Sequence, residues 1–177
     1  MDERRRGDVT ARRRAERSIR VGVISDTHGL LRPEAKHALA GCGRLIHAGD
    51  VGKPEVLDEL REIAPVTAIR GNVDKWAADL PDTEVVEIAG HCLYVLHDLN
   101  ALDLDPAAAG FAAVISGHSH RPRVERRDGV LYLNPGSAGP RRFKLPVAVA
   151  LLEIGPRGLE ARVVELEIGS SRPSASL

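Results

Sequence analysis

The sequence predicts one α/β domain of two packed β-sheets flanked by helices, α/β in its first half and β-rich in its second. Three observations carry this. Apolar, β-branched runs alternate with helical patterns over residues 19–70. Beyond residue 83, short strand patterns are separated by turn signals. The 177-residue chain shows neither an internal repeat nor a linker, which suits a single folded unit.

Taken in order, residues 19–25 form an apolar run typical of a buried strand. Pro33 opens a helix to about residue 39, at a first-turn position where its missing N–H costs nothing. Residues 44–48 are a second buried strand. Val56, Leu57, Leu60 and Ile63 recur at helical spacing, so 54–63 is an amphipathic helix. Residues 66–70 close a β-α-β-α-β series, which implies a parallel sheet with right-handed crossovers. Strands at 83–88 and 92–96 then flank Ala-Gly-His as a hairpin. Residues 106–110 make one or two helical turns, and 112–116 is another buried strand. Asp128-Gly129 joins strands 124–127 and 130–134, a strong hairpin signal. Strands at 146–154 and 159–168 complete the domain. Residues 1–18, rich in arginine and poor in apolar residues, are expected to be a disordered basic tail, and 169–177 a second tail.

Composition narrows the function. Basic and acidic residues balance at 25 each, so no global field draws the chain to nucleic acid or anionic membrane. No apolar run approaches the roughly 18 residues that span a bilayer, and no apolar stretch follows the arginines as a secretory signal requires. Cys42 and Cys92 lie in mainly apolar surroundings and are expected to be reduced thiols. A cytoplasmic protein is expected.

Polar residues collect where the predicted strands end. Asp26 and His28 follow the first strand, Asp50 the second, and Asn72 and Asp74 the third. His97-Asp98 and Gly117-His118-Ser119-His120 follow two later strands. Singly, each is an ordinary turn or capping residue. Jointly they aim carboxylate, imidazole and amide at the carboxyl ends of strands, where open α/β sheets bind ligands. Such donors suit Mn²⁺, Fe²⁺, Zn²⁺, Ni²⁺ or Mg²⁺, and the lack of thiolate argues against a structural zinc site. Seven donors exceed what one ion can use, so two ions are expected, as in centres for in-line displacement at phosphorus. No nucleophile elbow, phosphate-cradling Gly-rich loop or CxxC motif supports a rival chemistry.

The order Asp-x-His, Gly-Asp, Gly-Asn-x-Asp, lone His and Gly-His-x-His resembles the calcineurin-like metallophosphoesterase superfamily. The strings Ile24-Ser25-Asp26-Thr27-His28-Gly29, Ile46-His47-Ala48-Gly49-Asp50 and Asn134-Pro135-Gly136-Ser137 are similar to its small bacterial and archaeal phosphodiesterases, and the resemblance covers residues 19–168. It implies a β-sandwich flanked by helices. It implies one metal on Asp26, His28 and His120, a second on Asn72, His97 and His118, and Asp50 as bridge. The implied reaction is hydrolysis of a small phosphodiester or phosphomonoester by a metal-bridging hydroxide, typically with Mn²⁺. Asp50, Asn72, His97 and Asp74 are the candidate catalytic residues.

Two positions depart from the pattern. Val73 stands where the wider superfamily often has a histidine that can protonate the leaving group. Asp98 follows His97 where relatives usually have glycine, and can approach the second metal, orient a ligand histidine or lower the site charge. Other neighbours stay open between two roles: Asp74 orients a ligand or caps a turn, Arg70 contacts phosphate or is solvated, and Trp76 walls the pocket or serves as core or lid. Asn134 and Ser137 lie near the site or only shape a tight turn. His47, inside a strand, is expected to be a satisfied core histidine. Two alternatives to the enzyme are a non-catalytic scaffold, as a related retromer subunit of this fold is, and a nuclease aided by the basic tail. A homo-oligomer is compatible with either.

Overall fold

The computed structural model of the protein describes residues 18–142, 144–156 and 158–168. All but Ser18 of the basic N-terminal segment, and all of 169–177, lie outside the described residues.

Each predicted strand forms, from apolar runs without helical spacing in the interior and from more polar segments paired across turns at the edges, as in β7. The first half gives β1 (Ile19–Ile24), α1 (Pro33–Leu39), β2 (Arg44–His47), α2 (Pro54–Arg61) and β3 (Val66–Ala68). The second gives β4 (Thr83–Ile88), β5 (His91–Leu96), β6 (Ala113–Ile115), β7 (Arg123–Arg127), β8 (Val130–Asn134), β9 (Ala148–Gly155) and β10 (Gly158–Glu165). Both helices begin with Pro in the first turn and an acidic residue behind it, which suits the positive end of the helix dipole.

The strands make two five-stranded sheets, ordered β10-β9-β1-β2-β3 and β4-β5-β6-β8-β7. In the first sheet β1, β2 and β3 run parallel, and β9 is antiparallel to β1. The second sheet carries two hairpins, β4–β5 and β7–β8, as the turn signals predict. Its centre is parallel, β5 to β6 and β6 to β8, which the hairpin signals do not foretell.

Alternation along β1 shows how the layers divide. Val21 and Val23 face the core shared by both sheets, with Ile46, Leu93, Val95, Ile115, Leu133 and Leu152. Ile24 faces the other way, with Leu39, Leu57, Leu60 and Leu151, under the helices. At Gly22 a Cβ would stand 2.5 Å from Leu39 Cδ2, so glycine lets α1 lie close on the sheet. Both helices cover the first sheet. The outer face of the second is covered by Leu99 and Leu102, packed on Leu96, Val114 and Val130.

Differences from the expected elements are local. Residues 106–110 form one capped turn rather than a regular helix: the Asp105 carboxylate accepts the Ala107 and Ala108 N–H groups as at a helix start, but Gly110, at φ 78°, ends the turn at once. A 3₁₀ turn, Leu99–Ala101, appears after β5. β3 stops at Ala68, and Arg70 N bonds Pro81 O instead of continuing the ladder. Cys42 and Cys92 are free thiols. Among the described residues no helix is long and apolar enough to cross a membrane.

Candidate metal centre

Five parallel strands from two sheets end at one place: β1, β2 and β3 of the first, β5 and β6 of the second. Cross-loop bonds join those ends. Asp26 N donates to Gly49 O and His28 N to Asp50 O, at 3.0 and 2.9 Å, which zips the β1 loop to the β2 loop. Gly117 N donates to His97 O at 2.9 Å, which joins the β5 and β6 loops. His97 reaches across the sheets, with Nδ1 2.7 Å from Ala48 O.

The structure brings Asp26, His28, Asp50, His97 and His120 together. Asp26, His28 and His120 form one group of donors within 4.8 Å of one another, and Asp26, Asp50 and His97 a second. His120 Nε2 lies 3.2 Å from Asp26 Oδ1 and 3.4 Å from His28 Nε2. Asp26 is common to both groups, and Asp50 Oδ2 of the second lies 3.8 Å from His28 Nε2 of the first and 3.4 Å from His97 Nε2. Asn72 and His118 lie at the exposed rim. A cleft of about 240 Å³ beside them is lined by Asn72, His97 and Asp98. The His118 ring sits edge-on to His97, with centroids 5.2 Å apart.

The donors fit divalent cations on the structure's own chemistry. Each carboxylate spends one oxygen on the protein and leaves the other to the imidazoles. Asp26 Oδ2 accepts from Ser25 Oγ at 2.6 Å and His118 N at 3.1 Å. Asp50 Oδ1 accepts from Val73 N at 3.0 Å. Asp26 Oδ1 and His97 Nε2 are buried without a hydrogen-bond partner. Buried acceptors left so cost free energy that a cation would recover.

The backbone carries strain at the same residues. Asp26, His28, Asp50, His118 and His120 have φ of 54°, 47°, 55°, 64° and 58°, five of the seven non-glycine residues with positive φ among the described residues. Such conformations cost about 1–3 kcal/mol each and persist where surrounding structure imposes them. The other two, Ala89 and Asp128, sit in hairpin turns.

Charge states follow from the surroundings. Burial pushes the Asp50 carboxyl up, but the nearby His97 imidazole, the Val73 N–H and the charge of His28 outweigh it and hold the pKa at about 2. Burial lowers the His28 pKa by more than Asp50 and Asp26 raise it. For His97 burial also pulls downward, yet Asp50 and Ala48 O prevail and its pKa lies above the usual value.

Asp74 does not face the donors. Its carboxylate accepts Val51 N, Gly52 N and Gly71 N at 3.0, 2.7 and 2.8 Å, so it clamps the β2 loop to the β3 loop. It supports the loops that carry Asp50 and Asn72, the turn-capping one of the two roles the sequence leaves open to it. Three backbone donors converge on that buried carboxylate, so turn capping wins over ligation. Arg70 is held in a two-pronged pair with Asp82, at 2.5 and 2.8 Å. Asn134 and Ser137 brace the loops, through Asn134 Nδ2 to Gly117 O and Ser137 Oγ to Asp26 O. Trp76 is exposed.

The sequence motifs pass over the supports beneath the site. Ser25 holds Asp26. His47 is fully buried, with Nε2 2.9 Å from Thr27 Oγ1, which itself donates to Val51 O, but its Nδ1 has no hydrogen-bond partner, so the histidine is buried as expected yet only half satisfied. Adjacency to the ligand motifs is the one signal that could have marked them. Burial lowers the His47 pKa to about 4. The unfolded chain therefore takes up a proton as pH falls through about 6.5, while the folded chain resists until about 4. Stability is full above that window and falls through it, by about 3 kcal/mol in all. Denaturant melts of chelator-treated protein between pH 7 and 4 are expected to show this slope, and His47→Gln to flatten it. An unchanged slope would place the titration elsewhere.

Comparison with known proteins agrees with this geometry. The model of the calcineurin-like phosphoesterase superfamily domain matches residues 19–156. A probable metallophosphoesterase of Methanothermobacter thermautotrophicus is 32% identical over 157 residues, 81% of this chain and 91% of that protein. A phosphodiesterase of Methanocaldococcus jannaschii is 28% identical, over 67% of this chain and 83% of its own. In fold, vacuolar protein sorting 29 of Cryptosporidium parvum aligns with a TM-score of 0.73 at 21% identity, covering 86% of this chain and 94% of its own. The chain therefore belongs to the calcineurin-like phosphoesterase superfamily.

Proposed function

We propose that this chain is a cytoplasmic phosphodiesterase that hydrolyses small phosphate esters at a centre of two divalent cations, Mn²⁺ by preference. Asp26, His28 and His120 would hold the first cation, Asn72, His97 and His118 the second, and Asp50 would serve both. The observation that carries this is the paired donor set, with Asp50 Oδ2 facing a histidine of each group and Asp26 Oδ1 left without a partner. When bound, such cations polarise a phosphoryl group and lower the pKa of water toward neutrality.

The chain's own residues do the rest. Asp50 stays ionised across the working pH range. Ser25 and His118 N fix Asp26, and Asp74 fixes the loops that carry Asp50 and Asn72. Val73, whose N–H is bonded to Asp50, presents an exposed apolar side chain there and has no proton to give. Esters of acidic alcohols, which leave without protonation, are therefore favoured.

The test is hydrolysis of bis-p-nitrophenyl phosphate and of p-nitrophenyl phosphate by metal-stripped protein, given Mn²⁺, Mg²⁺, Zn²⁺ or Ni²⁺. Diester turnover restored by Mn²⁺ is expected. No turnover with any cation from a folded protein would favour the non-catalytic scaffold, for which the likeness in fold to vacuolar protein sorting 29 speaks. The complete donor set speaks against it. Nucleic acid is not the substrate on this proposal, and removal of residues 1–18 is expected to leave diester turnover unchanged.

A further inference from the structure

Asp98 is the one acidic side chain of the site's cleft with no part in the proposed donor set, other than Asp82, which is spent on Arg70. Its surroundings assign it a role. One oxygen, Oδ1, accepts Asn100 N and Asn100 Nδ2, each at 3.0 Å, which fixes the plane of the carboxylate. The other, Oδ2, faces His118 Nε2 at 3.8 Å.

His118 needs such a neighbour. Its backbone is tied by the bond from His118 N to Asp26 Oδ2 and held at φ 64°. Its side chain is 43% exposed, so packing does not choose the ring's orientation. A free ring spends rotamer entropy whenever it is fixed on a ligand. It also has two tautomers, of which one offers a lone pair at Nδ1.

We propose that Asp98 is a positioning residue for His118, drawing the ring proton to Nε2 and leaving Nδ1 to the second cation. At 3.8 Å the contact is an electrostatic bias rather than a hydrogen bond. Ligand histidines commonly have their other ring N–H held by a carboxylate or a carbonyl. His97 meets that condition from the opposite nitrogen, with Nδ1 on Ala48 O and Nε2 unpartnered. The two histidines of the second set are thus oriented through opposite ring atoms, one by a buried carbonyl and one by Asp98 at the rim. The inference rests on the proposed two-cation centre.

The experiment is a calorimetric titration of the metal-stripped full chain with MnCl₂, in wild type, Asp98→Gly and Asp98→Asn. Two binding events are expected in wild type. Asp98→Gly is expected to weaken the second about 10–100-fold and leave the first unchanged. Asp98→Asn, whose amide oxygen can still face Nε2–H, is expected to recover most of that loss. Long-range ¹H–¹⁵N NMR of the metal-free protein gives an independent readout: the Nε2–H tautomer of His118 dominates in wild type and mixes in the glycine variant. Loss of the turn that Asp98 caps would lower the melting temperature without moving that tautomer. Full binding of both cations by Asp98→Gly would overturn the role of Asp98 and leave the centre standing. Equal weakness of the Asn and Gly variants would overturn it too, by making the carboxylate a ligand. Absence of cation binding in wild type would overturn the centre itself.

Discussion

Asp50→Ala is expected to lower diester turnover about 1,000-fold or more, the largest effect of any single change in this chain. The reason is position. Asp50 Oδ2 faces a histidine of each donor group, at 3.8 and 3.4 Å. On the proposed centre, removing it would take away a ligand that both cations need, and it leaves His28 and His97 without their shared anion. Alanine at φ 55° also strains the loop, so Asp50→Asn is the sharper companion. Asparagine tolerates that conformation and can keep an acceptor for Val73 N, but it carries no charge. Both variants are expected to lose turnover and to bind less Mn²⁺, measured by metal analysis after gel filtration. Turnover at the wild-type rate in either would sink the assigned centre.

Gly117→Ala is expected to lower stability by about 2–3 kcal/mol and to weaken cation binding, although it adds one methyl group. A Cβ at Gly117 would stand 1.9 Å from Ser25 Oγ, 2.9 Å from Asp26 Oδ2 and 3.0 Å from Ala48 O. The backbone there cannot retreat, since Gly117 N is bonded to His97 O and Gly117 O to Asn134 Nδ2. The displaced group is therefore the Ser25–Asp26 pair, and with it the first cation's carboxylate. A drop of about 4–12 °C in melting temperature corresponds to that loss in a domain of this size. Gly43→Ala is the control, because its Cβ would meet only an ordinary contact, 3.7 Å from Ile19 Cγ2. Equal melting and equal cation affinity for Gly117→Ala and Gly43→Ala would mean that the loops are looser than their bonds imply.

Much of this was legible in the chain. Continuous β-branched runs such as Val21–Val23–Ile24 and Leu45–Ile46 can bury both faces, so they announce interior strands. The residue after such a run must leave the ladder, and that is where Asp26, Asp50 and His97 stand. Asp128-Gly129 marked the β7–β8 turn because its residues adopt positive φ readily, at 50° and 82°. Less legible was the use made of each polar group. Asp74 looked equally fit to orient a ligand or cap a turn, and the choice went to three backbone N–H groups, Gly71 in its own loop and Val51 and Gly52 in a loop far from it in sequence.

The sequence by itself determined the strands, their bounds to within a few residues, the donor types and the family. Those follow from periodicity and from which side chains sit at strand ends, both local properties. Tertiary structure alone decided the parallel centre of the second sheet and the supports that hold the site, and it brings Asp26 and His120 together as only the family resemblance implied. These pairings join residues 92 positions apart, as His118 N with Asp26 Oδ2, or 111 apart, as Ser137 with Asp26 O. No local pattern encodes such a distance; it appears only when two sheets close on a shared core and bring the ends of their strands to one edge.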